Sequence, residues 1–76
     1  MKDVNAINDV CMELTSAMER YPALGSYHEG WAVILEEVDE LWDEVKLKPL
    51  LRNPEKLRAE AMQIAAMALR FMIDLT

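Results

Sequence analysis

The sequence predicts an all-α protein, a three-helix subunit that assembles with copies of itself into an oligomeric helical bundle. Periodicity is the first ground: every segment long enough to judge repeats its apolar residues at three-and-four spacing, and no alternating run suggests a strand. Punctuation is the second, because "YPALGS" and "KPLLRNP" interrupt the pattern and leave three helical segments. The third is apolar excess. Of 76 residues, 53% are hydrophobic, more than one small globule can hide, so the surplus is read as a subunit interface.

The first helix is expected over about Asp3 to Glu19, with Val4, Ile7, Val10, Cys11, Leu14, Ala17 and Met18 on its buried face and Asp3 as N-cap. Pro22 and Gly25 end it. The second helix starts near Ser26 or Tyr27, where Ser26 and Glu29 have the form of a capping box. It runs to Lys46 or Leu47 and stops before Pro49, with lysines where the helix dipole favours them. The third helix begins at Asn53-Pro54, a cap followed by a proline suited to the first helical position, and reaches Asp74 or the chain end. With no repeat, linker or low-complexity tract, residues 1–76 read as one domain.

A chain this short needs help from disulfides, metals or a partner. Cys11 is the single cysteine, which removes the intramolecular disulfide and agrees with a reducing compartment. No membrane span or secretory leader is expected, and the default location is cytoplasmic. A formal charge of -6 argues against nucleic acid as a partner, since phosphate neutralisation needs lysine and arginine. It leaves room for a nucleotide bound through divalent cations.

The segment "HEGWAVILEEVDELWDEV" carries seven carboxylates. On a helical wheel Trp31, Ile34, Leu35, Val38, Leu41, Trp42 and Val45 form one arc, and Glu29, Glu36, Glu37, Glu40 and Glu44 form the arc beside it. The pairs Glu36/Glu40 and Glu40/Glu44 each destabilise a helix by about 0.2–0.5 kcal/mol, and no lysine or arginine between Glu29 and Glu44 offsets them. Two readings stand: an ordinary solvated acidic face, or carboxylates held together for a hard divalent cation. The third helix bears on the choice. It is apolar over most of its circumference, except for a stripe of Glu60, Gln63, Met67, Arg70 and Asp74. Such a stripe faces solvent, or it lines a cavity, a partner's polar groups or a site.

"EEVDE" (Glu36, Glu37, Glu40), followed after 19 residues by "EAMQ" (Glu60 to Gln63), resembles the all-α nucleoside triphosphate pyrophosphohydrolases of the MazG type, whose pattern is EExxE and then ExxD. The resemblance covers roughly Ser26 to Leu75, including "NPEKLRAEAMQIAAMALRF", and is strongest to the short phage- or prophage-type members. It implies hydrolysis of a (d)NTP between the α and β phosphates to the monophosphate and pyrophosphate, dependent on Mg²⁺ or Mn²⁺. It also implies subunits whose active sites form within a homodimer or homotetramer.

Carried over residue by residue, Glu37, Glu40, Glu60 and Gln63 fall at metal-ligand positions, and Glu36 or Glu37 is the candidate general base. The family's final aspartate falls on Gln63, which offers a neutral carbonyl oxygen in place of a charge. Either the glutamates suffice, or a water or another subunit's carboxylate fills the gap, or activity is altered. Asp74 is no substitute, lying about 16 Å further along the helix.

Lys46, Lys48, Arg52, Lys56 and Arg70 are the candidate phosphate binders, although lysines at a helix end also serve the dipole. No base-binding residue is assigned. Trp31, Trp42 and Tyr27 have rings suited to stacking, but the tryptophans are expected in a core or interface. Cys11 is expected in the core, the methionines in packing, and His28 has no assigned role. The alternative function is a catalytically weakened or inactive helical interaction module of the same fold.

Overall fold

The computed structural model describes residues 2–76 and bears out the all-α expectation. Three α-helices follow one another: α1 (Lys2–Arg20), α2 (Tyr27–Val45) and α3 (Pro54–Leu75), with a single 3-10 turn at Pro49–Leu51 between the last two. Among the described residues there is no strand.

The caps explain most of the boundaries. Ser26 is the N-cap of α2, its hydroxyl accepting from the Glu29 backbone N–H at 3.0 Å. The reciprocal half of the expected box takes another form: the Glu29 carboxylate accepts from the Gly25 N–H at 3.3 Å, one residue further back. Asn53 caps α3 by accepting from the Glu55 N–H at 3.0 Å, and Pro54 occupies the first helical position. At the far end of α2, the Arg52 Nε donates to the Val45 carbonyl at 2.9 Å. Asp3 is not the N-cap expected of it. The helix already includes Lys2, so Asp3 lies in the first turn, where its charge still favours the dipole.

Both α1 and α2 pack on α3, while their backbones do not approach one another. The result is an open arrangement, with a radius of gyration of 13.3 Å against about 11 Å for a compact chain of this length. Its core is thin. Ala17, Ala66 and Met67 are buried, with Val10, Leu14, Val33 and Ile34 packed around them.

Gly30 sits where α2 crosses α3. A Cβ there would lie 2.5 Å from a Phe71 ring carbon and 2.8 Å from Leu75, so only glycine admits this approach. Cys11 was expected in the core and is instead exposed, because α1 turns a different part of its apolar arc, Val10, Leu14 and Ala17, toward α3. The tryptophans also lie outside the subunit core, Trp31 being 61% and Trp42 58% exposed.

Candidate metal centre and adjoining cavity

Glu37 and Glu40 lie one turn apart on α2, and Glu60 faces them from α3. Ligand atoms of these three carboxylates all lie within 4.8 Å of one another. The packing of α2 on α3 thus converts two sequence-distant motifs into one cluster. Glu37 and Glu60 are half-buried, and Glu40 is exposed at the rim. One oxygen of Glu37, Oε2, is buried with no hydrogen-bond partner.

The electrostatics follow from this geometry. Burial, then the nearby Glu40, then Glu60 and Glu36, push the Glu37 carboxyl up from an ordinary value of 4.5 to about 7. Burial and Glu40 likewise raise Glu60, while Lys56 pulls it back. Lys56, which acts on Glu60, also lies with its Nζ 3.9 Å from an oxygen of the neighbouring Glu44.

The other candidate phosphate binders are placed differently. Lys46 pairs with Asp43 at 3.0 Å. Arg52 is engaged in capping α2, and Lys48 is exposed on the connecting turn. Arg70 requires a correction. Its side chain is 5% exposed, and its guanidinium donates to the Asp74 carboxylate at 2.9 Å, the Ala17 carbonyl at 3.1 Å, the Tyr21 carbonyl at 2.8 Å and the Pro22 carbonyl at 2.7 Å. Asp74 also accepts from the Leu24 N–H at 2.9 Å. This backbone hydrogen bond, followed by Arg70, holds the Asp74 carboxyl below the ordinary value of 3.8. Arg70 is therefore a clamp that satisfies carbonyls at the end of α1 and ties the α1–α2 loop to α3. It is not available to phosphate.

Because α1 and α2 stand apart, a cavity of about 640 Å³ opens between them, with Gln63, Met67 and Arg70 of α3 along its floor. Glu36 and Glu37 line its α2 side, and Glu13, Arg20 and Tyr21 line the α1 side. The polar stripe of α3 thus has a graded role. Glu60 joins the carboxylate cluster, Gln63 and Met67 face the cavity, and Arg70 with Asp74 closes the far end. The contribution of α1 was missed from sequence, since nothing local marks Glu13 or Tyr21 as neighbours of Gln63.

His28 takes no part in the cluster and lies in a shallow depression with Tyr27, Trp31 and Phe71. Comparison with protein-family models, curated proteins and solved structures finds no match to this chain.

Proposed function

We propose that the protein is a divalent-cation-dependent nucleoside triphosphate pyrophosphohydrolase of the MazG-like type, cleaving (d)NTPs to the monophosphate and pyrophosphate. One observation carries the reading: Glu37, Glu40 and Glu60 converge from two helices to within 4.8 Å, in the motif positions that resemble that family. The donor set fits Mg²⁺ or Mn²⁺, being all carboxylate oxygen, and one buried oxygen of Glu37 has no hydrogen-bond partner. When bound, such a cation supplies charge neutralisation for the triphosphate and polarises a water.

The chain's own residues divide the work in this reading, with Glu37 a candidate for two tasks. Glu37, Glu40 and Glu60 hold the cation, and their mutual repulsion is relieved when they do. Glu36 or Glu37 accepts the proton of the attacking water. Lys56, beside Glu44 and Glu60, is the cation best placed to meet phosphate oxygens, with Lys46 and Lys48 further out. A cytoplasmic protein is implied by the substrate.

The reading includes self-association into a dimer or tetramer. Trp31, Leu35, Val38, Trp42 and Val45 follow a 4-3-4-3 spacing along α2, and all are exposed. That is the spacing of a coiled-coil seam, and it supports a second copy as the partner.

A second reading, an inactive interaction module of the same fold, draws on the same seam and on Gln63 at the motif's aspartate. Pyrophosphate release from a panel of (d)NTPs, with and without Mg²⁺, separates the two. Release that requires Mg²⁺ and disappears in Glu37→Gln and Glu40→Gln variants supports the enzyme. No release from any substrate at high protein concentration leaves the interaction module.

A further inference from the structure

Two features stand at opposite ends of α2. Beyond its C-terminal end, the turn Pro49–Leu51 presents Leu50, which at 99% exposure has no packing in its own subunit. At its N-terminal end, Tyr27, His28 and Trp31 line a depression of about 350 Å³ together with Phe71 of α3. The exposed seam from Trp31 to Val45 runs between the two. We propose that a second copy of the chain covers this face in the antiparallel sense, with a twofold axis at Val38 and Leu50 of each copy seated in the other's depression. The proposal rests on the self-association in the reading above; it adds the direction of the pairing and a docking point outside the seam, and does not depend on hydrolytic activity.

A stable interface needs area. The five seam residues alone leave about 500 Å² open per copy, short of the roughly 800 Å² that each partner gives to a standard-size interface. Tyr27 and Leu50 bring the open area to about 800 Å², so the face reaches that share only when both ends are covered.

Side-chain volume sets the direction. Val38 stands midway along the seam, seven residues from Trp31 and seven from Val45. Antiparallel pairing about Val38 sets Trp31 against the partner's Val45, and Trp42 against the partner's Leu35. Each indole then meets a smaller aliphatic chain, and the layers stay even in depth. Parallel pairing would stack each tryptophan on its own copy and each valine on its own copy, so the indoles would hold the valine layers apart.

The same axis brings the two ends together. Tyr27 lies eleven residues before Val38, about 16 Å along the helix, and Pro49 lies eleven after it. The Arg52 Nε, donating to the Val45 carbonyl at 2.9 Å, keeps the Pro49–Leu51 turn against the end of α2. Leu50 of one copy thus arrives at the level of the partner's Tyr27 and His28. In the parallel sense Leu50 would meet only its own copy, and the depression would stay open. The antiparallel register has one cost: Asp39, a residue past the axis, faces the partner's Asp39 along an exposed edge, where salt screens the pair.

Two measurements on the full chain test the pairing. The first places a nitroxide at Lys46→Cys in a Cys11→Ser background; Cys11 is exposed, so its replacement disturbs no core. Each label lies eight residues from the axis, so double electron–electron resonance should give a separation of about 25–35 Å, against less than about 20 Å for a parallel pair. The second is sedimentation velocity. Leu50→Glu should weaken self-association about tenfold or more while the urea midpoint of the monomer stays unchanged, because Leu50 packs on nothing in its own subunit. Adding His28→Lys should restore part of the affinity, since the new carboxylate and ammonium would meet across the interface.

Label separations confined below about 20 Å would make the pairing parallel and overturn the proposal while self-association stands. A Leu50→Glu variant that associates as tightly as the wild type, or a loss that His28→Lys leaves in full, would overturn it too. A wild-type chain that is monomeric at micromolar concentration overturns the self-association reading and this proposal together, leaving the face to a different protein.

Discussion

Arg70 and Glu37 are both charged residues withdrawn from water, and the molecule treats them in opposite ways. Arg70 meets a full set of partners, so its burial is satisfied. Truncating it would strand the Asp74 carboxylate and several carbonyls together. Arg70→Ala should destabilise the fold by about 3–5 kcal/mol, measured by urea denaturation, and Arg70→Lys should recover only part of this because an ammonium lacks the guanidinium's fork. Glu37 has no such complement. Its carboxyl, raised from 4.5 to about 7, contributes stability that is full below 4.5 and lost as pH rises through 7, because the folded state binds the proton more tightly. Thermal melts in EDTA should therefore show the wild-type midpoint falling across that window. Glu37→Gln should flatten the decline and melt higher at pH 8, and an unchanged slope would mean the repulsion is already relieved.

At the scale of the element, α2 divides its circumference among three neighbours: α3, the cavity and open solvent. Gly30 sets its distance from α3. Helix propensity alone makes Gly30→Ala stabilising by about 0.5–1 kcal/mol, but the added Cβ would lie 2.5 Å from Phe71. Phe71 is held in turn by stacking on Tyr27, with ring centroids 6.0 Å apart. The contact should win, giving a net loss of about 1–3 kcal/mol in the thermal or urea midpoint of Gly30→Ala. Separation of the helices by even a small amount also separates Glu60 from Glu37 and Glu40, so the same variant should bind Mg²⁺ less tightly by calorimetry.

At the scale of the whole molecule, the surplus of apolar surface dominates. The buried core is small, while Trp31, Leu35, Val38, Trp42 and Val45 form an open seam and Leu50 is 99% exposed. A patch of this kind on a small chain is expected to be covered. Trp42→Glu should shift the species seen in analytical ultracentrifugation toward the monomer, and a wild-type protein that is already monomeric at micromolar concentration would remove the seam from consideration. Among the described residues, no helix is long and apolar enough to cross a membrane.

Much of this was legible in the residues themselves. Caps at Ser26 and Asn53, prolines at Pro22, Pro49 and Pro54, and the three-and-four spacing determine three helices, because each acts within a few residues of its own position. The glutamate flank of α2 and the polar stripe of α3 were equally visible, since a helix imposes its period on any sequence. What the stripe meets was decided only by tertiary structure. Arg70 finds Ala17 across 53 positions of chain, Glu60 finds Glu37, and α1 stands away from α2 far enough to leave a cavity over Gln63. None of these follows from periodicity, which fixes the direction a side chain leaves its helix and says nothing of which surface it will reach.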